Sequence, residues 1–510
     1  MQRLNESDSL GEFGSVQFAD RLEKRVSTGT SAETASIPRP RAPRLGVPLS
    51  DADMQQVIEG ARRVLKEVGI HCQSLEVRKQ LASLRGAWQT GERVYYGDAV
   101  VDAILADSRK AEPLEQKPPR EPFSIGAPWC CLQIADAQSG TVRPPTSQDA
   151  ARATRLLEGL GVPVGLSPLA PADFAPQLRN LACLRTVLLH SRQGRHLPNQ
   201  PVPEQISATV EVGAAAGRTP RAFIMVVISP LRFDTNGIEY FLKHRNLPGL
   251  ELHLAGSMPC TGSTSPLHLP GTLIQSLAEA IGLAACTRAL GCGGEVGAVR
   301  CDPCDMRSGN YVIGSPEFQL LDMATRALYR AIAGRTNTNG AFRSMAKVPD
   351  AQAMAERCFT VLFQALQGAR NFNHAGQLSM DEVFSPEQAV LDYEILRYVE
   401  RVVWGMEWHE HADGRLAVSD AVEMIRQGVE TGHYLDAEQT IKGHREFFYR
   451  SNLFGYEKLN AWLQHGAKSV LARAAERVEQ TIAAMPPCVL PEDRARDVER
   501  IFERACRTFG

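Results

Sequence analysis

The sequence lacks the short motifs that mark the commonest enzyme classes. It contains no G-x-x-x-x-G-K-[ST] phosphate loop, no G-x-S-x-G nucleophile elbow and no H-E-x-x-H metal helix. The glycine-rich run Gly291-Cys292-Gly293-Gly294 does not have the spacing of a dinucleotide-binding fingerprint. The standard nucleotide-binding and hydrolase functions therefore have little support.

Long runs of one charge and long apolar runs are also scarce. A net charge of -2 over 510 residues gives no footprint for nucleic acid or anionic lipid. We see no apolar stretch near the roughly 18 residues of a membrane span, and no apolar segment of a signal peptide at the N-terminus. Twelve scattered cysteines, including Cys130 and Cys131, indicate reduced thiols rather than a disulfide framework. We expect a soluble, cytoplasmic protein without a nucleic-acid or membrane partner.

Short apolar runs alternate with helix signals through the middle of the chain. Ser315 and Pro316 form a helix start, and the apolar spacing that follows stops at Gly334. A second helix is predicted from about residue 350 to Gly368, and Ser385 begins a third with the spacing of a capping box. This alternation is typical of a parallel α/β protein whose chemistry lies where strands end.

The number of candidate strands predicts a particular α/β fold. The seven candidates are residues 162–166, 187–189, 223–228, 250–254, 294–299, 335–338 and 370–374. Seven strands plus one missed strand would form a TIM (β/α)8 barrel, although an open doubly wound sheet fits the same pattern.

The pattern divides the chain into four parts. Residues 1–46 are polar and proline-containing, which predicts a disordered or extended segment. Residues 47–118 form a helical N-terminal module in this interpretation, beginning with an apolar stripe that ends at Gly69. Residues 119–412 hold the barrel, and residues 413–510 are a helical C-terminal region that packs on it.

Two groups of residues resemble metal ligands. Cys301 and Cys304, with Cys292 upstream, could hold zinc if His268 or His374 completed the set. A single C-x-x-C pair is more often a pair of buried thiols. The run His409-Glu410-His411 lies in a charged stretch typical of a solvated helix end. We therefore expect no tightly bound metal.

Several short segments occur in a characteristic order along the chain. They are Gly256-Ser257-Met258-Pro259, Asp305-Met306-Arg307-Ser308-Gly309, Gly314-Ser315-Pro316-Glu317, Lys347-Val348-Pro349-Asp350 and His374-Ala375-Gly376. In this order they resemble the trimethylamine methyltransferase family, and the similarity runs from about residue 50 to the end. The resemblance implies a TIM barrel that moves a methyl group from a methylamine to the cobalt of a separate corrinoid protein.

The resemblance also implies a substrate class, a cofactor and an assembly. Members that act on trimethylamine carry pyrrolysine, and this sequence has none. It is more similar to the non-pyrrolysine branch, which demethylates quaternary amines such as glycine betaine. The implied cofactor is cob(I)alamin, becoming methylcob(III)alamin, carried by the partner corrinoid protein. A homo-oligomer is implied as well.

The chemistry of this reaction tells us which side chains to look for. A quaternary ammonium leaves as a neutral tertiary amine, so its nitrogen needs no proton. The protein must align the reacting atoms and exclude water. Aromatic faces and a carboxylate suit the cation, whereas Arg, His, Asn or a helix N-terminus suits the carboxylate of a betaine.

The position of each residue at a predicted strand end selects the candidates. His374 is a candidate catalytic residue, or else a structural histidine. Phe372, Phe384 and Tyr96 are candidates for a cation-binding wall, and the alternative for each is a packing role. Tyr96 would have to lean over the barrel mouth from the N-terminal module.

Five further candidates come from the loops. Glu295 and Asp305 are candidate catalytic anions beside the ammonium, although Asp305 could instead brace its loop by pairing with Arg307. Arg307, Asn337 and Asn339 are candidate substrate-binding residues, and the two amides could equally tie a turn. Two other functions stay open, namely a zinc-thiolate methyl-transfer enzyme and a barrel that binds a betaine without turnover.

Overall fold

The computed structural model describes residues 49–110, 122–136, 140–405 and 418–510, and these form a mixed α/β protein. The predicted N-terminal segment 1–46 and the His409-Glu410-His411 run lie outside the described residues. The boundaries of the four predicted parts stay predictions. Within 47–118, the described residues form three short strands as well as helices.

Helices account for most of the regular structure. They are α1 (Asp51–Arg63), α2 (Leu75–Leu81), α3 (Asp98–Lys110), α4 (Ser147–Gly159), α5 (Arg179–His190), α6 (Ile206–Ala215), α7 (Thr235–His244), α8 (Leu269–Ala289), α9 (Pro316–Ala333), α10 (Ala351–Leu366), α11 (Pro386–Trp404), α12 (Val418–Thr431), α13 (Glu438–Phe447), α14 (Leu459–Gln464), α15 (Val470–Ala483) and α16 (Glu492–Phe509).

Most strands are short. They are β1 (Ile70–His71), β2 (Ala87–Thr90), β3 (Arg93–Tyr96), β4 (Ser124–Ile125), β5 (Gln133–Asp136), β6 (Thr141–Arg143), β7 (Arg221–Ile228), β8 (Arg232–Phe233), β9 (Glu251–Gly256), β10 (Cys260–Thr261), β11 (Asp302–Pro303), β12 (Asn339–Ala341), β13 (Asn371–Asn373), β14 (Gln377–Leu378) and β15 (Val383–Phe384).

The described strands form four separate sheets, so a closed barrel is not shown. Parallel pairs join β7 to β9, β10 to β11, and β12 to β13 to β4. Isolated parallel bridges connect Cys131 with Leu169 and His196 with Arg221. Parallel pairing with helices between the strands is the arrangement that the alternating pattern predicts.

Side chains from two helices satisfy backbone groups at the free edge of β12. Arg326 of α9 donates from Nη1 to the carbonyl of Asn337 at 2.8 Å and from Nη2 to the carbonyl of Asn339 at 2.6 Å. Gln364 of α10 accepts the N–H of Ala341 at 2.8 Å. Because these side chains satisfy edge groups that a neighbouring strand would otherwise pair, the sheet can end here without unpaired backbone. We call this junction the seam.

Two large hydrophobic cores flank the sheets. One joins the N-terminal elements to β7, α8 and α9, and the other joins β4, β13, α10 and α11 to α15 and α16. The helix α8 is long and apolar enough to span a membrane, contrary to our expectation that no such stretch exists. Most of that apolar stretch is buried within the first core, so its composition has an explanation in packing.

The predicted helices agree with the structure better than the predicted strands do. Ser315 caps α9 by accepting the N–H of Phe318 at 3.2 Å, and Gly334 ends the helix at φ 68°. The strand predicted at 187–189 is wrong, because these residues lie in α5, whose burial produces a continuous apolar run. The strands predicted at 294–299 and 335–338 are also misplaced, since β11 and β12 begin at residues 302 and 339.

Candidate active site

A cavity of about 80 Å³ lies beside the seam. Its charged lining residues are Arg300, Asp302, Asp322, Arg326 and Arg343. Arg326 and Asp322 form an ion pair at 2.7 Å, which leaves Arg300 and Arg343 against Asp302. The excess of one positive charge favours a ligand group that is anionic.

The side chains of Asp302 and Arg343 line this cavity, and neither forms a hydrogen bond or ion pair in the described part of the chain. Asp302 is 6% exposed, and burial raises its pKa, while the charges of Arg343 and Arg300 oppose the rise. Burial likewise lowers the pKa of the Arg343 guanidinium. Buried charges without hydrogen bonds are costly, so a polar ligand that bonds to them would stabilise the site.

His374 lines the same cavity from the loop after β13. Its backbone has a φ of 71°, in the left-handed region, and its N–H donates to the carbonyl of Ala127 at 3.2 Å. Its Nδ1 lies 2.6 Å from Oε1 of Gln377. Burial, and then the charge of Arg343, lowers the pKa of His374 well below its usual value. The ring is therefore neutral at pH 7.

A buried ion pair holds the loop that carries His374. Asp392 of α11 accepts the N–H of Gly376 at 2.6 Å and a guanidinium N–H of Arg357 at 2.5 Å. The side chains of Asp392 and Arg357 are both 0% exposed. Gly376 has a φ of 78°, and a Cβ there would lie 2.5 Å from the ring of Phe384. Only glycine fits at this turn, which places His374 against a rigid support.

Four rings form a second cluster, which we call the aromatic cluster. Phe223 lies at its centre, with ring-centroid distances of 6.3 Å to Trp129, 5.9 Å to His196 and 5.6 Å to His253. Burial is the main cause of the lowered pKa values of both histidines, and the pKa of His196 falls to about 4. Trp129 is 43% exposed. The cluster thus offers an uncharged aromatic face of the kind that attracts a cation.

The alternation along β7 explains why this cluster is accessible. Ala222, Ile224 and Val226 point into the cores and are buried, whereas Phe223 and Met225 lie on the other face. Met225 is 44% exposed. This face of the strand is therefore not covered by a packed layer of apolar side chains.

Gln377 joins the cavity to the aromatic cluster. Its Oε1 lies 2.6 Å from Nδ1 of His374 and accepts the backbone N–H of Trp129 at 3.3 Å. The cavity and the backbone that carries Trp129 are therefore linked through one buried amide. A ligand with an anionic end and a cationic end would match the charged cavity and the aromatic cluster.

The structure brings two of the predicted site residues together. His374 and Asn339 both line the cavity. Asn337 lies beside it in the seam, where its Oδ1 accepts the N–H of Asn339 at 3.1 Å. Their functional roles stay predictions.

The predicted aromatic residues occupy packed positions. Phe372 and Phe384 are both 0% exposed, and Phe372 packs on Phe123 at 5.5 Å. Tyr96 is also 0% exposed, within the core of the N-terminal elements rather than over the cavity. Phe372 and Phe384 lie close to Gly340 and Gly376 respectively, and none of the three rings lines the cavity.

The remaining predicted residues lie apart from the cavity. Asp305 braces its own turn, accepting from the N–H and Nε of Arg307 at 3.1 and 3.0 Å, which was the alternative weighed from the sequence. The Arg307 side chain is 93% exposed. Glu295 is 51% exposed and lies 3.9 Å from Arg335.

Sequence reasoning missed most of the residues that form this site. These are Trp129, His196, Phe223, His253, Arg300, Asp302, Arg343 and Gln377. The alternation Arg221, Phe223, Met225 on β7 was a usable signal, because polar or large side chains on one face of a strand indicate an open face. Asp302 gave no separate signal, since it was interpreted only as part of the C-x-x-C spacing.

Among the described residues, no group of three or more His, Cys, Asp or Glu side chains is arranged to hold a metal ion. Cys301 is buried, which raises its pKa to about 12, and Cys260 lies beside Cys304 with a pKa that burial also raises. Thiols of this kind stay protonated and pack as small apolar groups.

Comparison with known proteins gives a consistent result. A family model described as trimethylamine methyltransferase (MTTB) matches residues 18–510. The chain is 25% identical over 476 residues to the glycine betaine methyltransferase of Desulfitobacterium hafniense (strain Y51), covering 88% of this chain and 95% of that protein. It is 28% identical over 291 residues to the trimethylamine methyltransferase MttB of Methanosarcina barkeri. That match spans 56% of each of the two chains, little more than half their length.

Proposed function

Because the chain belongs to the trimethylamine methyltransferase family, we propose that it takes a methyl group from a betaine-like quaternary amine and passes it to the Co(I) of a corrinoid protein. A substrate of this type carries an ammonium and a carboxylate. The charged cavity and the aromatic cluster support this choice over trimethylamine, which has no anionic group.

We further propose that the four sheets are parts of one TIM barrel. The parallel pairs β7–β9, β10–β11 and β12–β13–β4, with the bridges at Cys131 and His196, support a ring of strand segments in chain order. The seam would be the break in that ring. The site would then lie at the mouth formed by the strand ends, as in other barrels of this type.

In the proposed binding mode the carboxylate enters the cavity. Arg343 and Arg300 supply guanidinium groups, which bind carboxylates with charge-assisted hydrogen bonds. Asp302 keeps the cavity from carrying two uncompensated positive charges. The ammonium stays outside, where Trp129 and Phe223 present aromatic faces.

The chain's contribution to the reaction is alignment and charge. When the corrinoid protein is docked, its Co(I) supplies the nucleophile for the methyl group. The amine leaves as a neutral tertiary amine, so no side chain has to deliver a proton to nitrogen. Neutral His196 and His253, in the aromatic cluster, avoid adding positive charge beside the substrate cation.

Two exposed surfaces support the proposed partners. Trp129 and Met225, 43% and 44% exposed, give an apolar area that a corrin ring could cover. On α12 and the turn after it, Ile425, Val429 and Leu435 are 57%, 73% and 79% exposed, which supports a homo-oligomer. A cytoplasmic location stays a prediction.

The observation that carries the substrate assignment concerns the Arg343 side chain. It lines the cavity and has no hydrogen-bond or ion-pair partner in the described chain. The Arg343→Met variant removes the guanidinium, and a lost hydrogen bond to a charged group costs about 1.5–3 kcal/mol. We expect KM for glycine betaine to rise roughly 10- to 150-fold. The assay mixes protein, betaine and free cob(I)alamin and follows the cobalt absorbance, with Arg500→Met on the exposed face of α16 as the matched control.

The same assay separates the alternatives. Methyl transfer from trimethylamine at least as fast as from betaines would contradict the proposed substrate class. Betaine-dependent thermal stabilisation without transfer to cobalt would identify a binding protein. Metal analysis showing about one zinc per chain would favour the zinc-thiolate enzyme.

A further inference from the structure

Gln377 occupies a position that decides which nitrogen of His374 carries the proton. Its Oε1 accepts the backbone N–H of Trp129, a group that can only donate. The amide orientation is therefore set by the backbone, because the reverse orientation would place an NH2 group against that N–H. Oε1 must then also be the atom that faces Nδ1 of His374 at 2.6 Å.

An amide oxygen accepts hydrogen bonds and cannot donate one. Nδ1 of His374 must therefore carry the hydrogen, which leaves Nε2 as a bare lone pair in the neutral ring. In the described part of the chain Nε2 has no hydrogen-bond partner, and the ring that carries it lines the cavity. The Nε2 lone pair is thus an acceptor that the protein itself leaves unused.

Holding the Gln377 amide in this orientation costs free energy. The amide nitrogen of the Gln377 side chain is buried and has no hydrogen-bond partner in the described residues. The residue as a whole is 1% exposed. An unsatisfied buried amide group costs about 1–3 kcal/mol. A side chain chosen only for packing would avoid that cost, so a role in holding its two partners is the better explanation.

We infer that Gln377 is a positioning residue, which keeps His374 as the neutral Nδ1–H tautomer with its Nε2 lone pair available at the substrate site. The kinetic part of this inference rests on the proposed function, whereas the tautomer does not. A carboxylate at position 377 would stabilise an imidazolium strongly, whereas the Gln377 amide raises the pKa of His374 only against the larger opposing effects of burial and Arg343.

The charged groups around His374 favour the neutral ring. Arg343, Arg300 and Arg357 all disfavour a cationic ring. Asp302 and Asp322 line the same cavity, and Asp322 is already paired with Arg326. With a neutral amide rather than a carboxylate beside Nδ1, the ring stays uncharged in the cavity.

The test compares Gln377→Glu and Gln377→Met with wild type by nitrogen-15 NMR of labelled histidine in the full chain. Loss of a signal in His374→Gln assigns the ring. We expect wild-type His374 to be the neutral Nδ1–H tautomer from about pH 6 to 9, Gln377→Glu to show an imidazolium near neutral pH, and Gln377→Met to show mixed tautomers. Gln464→Glu, an exposed position on α14, is the charge-matched control.

Kinetics provide the second readout. With Gln377→Glu we expect kcat/KM for betaine to become pH-dependent in the range where the new imidazolium loses its proton, whereas Gln464→Glu keeps the wild-type profile. Unchanged His374 signals and an unchanged pH profile in Gln377→Glu would overturn the inference. If the tautomers change as expected but no variant or wild type transfers a methyl group, the proposed function fails and the positioning role stands.

Discussion

The two sides of the candidate site differ in charge and exposure. Beside the seam, Asp302 and Arg343 are charged, largely enclosed and supported by a buried ion pair behind the His374 loop. Beside β7 and β9, the rings of Trp129 and Phe223 are uncharged and partly open to solvent. A zwitterion would be oriented by this difference alone, with its anionic end in the cavity and its cationic end toward the more exposed rings.

The largest expected effect comes from removing the buried ion pair that supports the His374 loop on the charged side of the site. Asp392→Ala leaves Arg357 as a buried unpaired charge and removes the acceptor of the Gly376 N–H, so unfolding should require about 3–5 kcal/mol less free energy. Denaturant unfolding measures this. Asp497→Ala, which removes an exposed ion pair on α16, should change stability by less than about 1 kcal/mol. Equal stabilities of the two variants would show that the buried pair does not support the loop.

The next largest effect is the pH dependence of folding stability that His196 in the aromatic cluster causes. The pKa of His196 is about 4 in the folded protein against 6.5 for an ordinary histidine, so the unfolded chain binds the proton more readily. The stability that neutral His196 contributes is present above about pH 6.5 and is lost as the pH falls toward about 4. Because the ring is partly exposed to solvent, wild type should lose about 1–3 kcal/mol more than His196→Gln across this window. Parallel stability curves for the two proteins would contradict this.

The smallest expected effect tests the binding of the substrate ammonium independently of the binding of its carboxylate. Trp129→Leu removes an aromatic face worth about 0.5–2 kcal/mol to a cation, so KM for glycine betaine should rise roughly 2- to 30-fold. Trp129→Phe should retain most of the affinity. Trp88→Leu, which alters a tryptophan stacked on Tyr95 in the β2–β3 hairpin, serves as control. A larger loss in Trp88→Leu than in Trp129→Leu would remove the aromatic cluster from the site.

Local signals in the sequence were sufficient for the helices near the site. Ser315 and Gly334 bound α9 as predicted, because capping and left-handed termination depend on residues next to each other in the chain. His374 was also found from local signals, since it follows β13 and precedes a glycine turn. The family membership predicted from ordered segments is confirmed by the match over residues 18–510.

The partners of these residues could not be found in the same way. Trp129 meets Phe223 across 94 positions of the chain, and Asp302 shares a cavity with Arg343 because of how helices and strands pack. For Phe372 and Phe384, local signals in the sequence were misleading. Their positions after strands suggested a binding wall, but the side of a short strand that faces the core depends on neighbours that sequence spacing alone does not reveal.

The seam has a consequence for how this protein could acquire a new substrate. A hydrogen-bonded strand pair fixes the separation of its two strands, so an enclosure made only of such pairs resists resizing. Arg326 and Gln364 both line the cavity, so shortening either side chain enlarges it without shifting the register of β12 against β13. Bulkier zwitterions should therefore be admitted by changes at these two positions sooner than by changes in any strand.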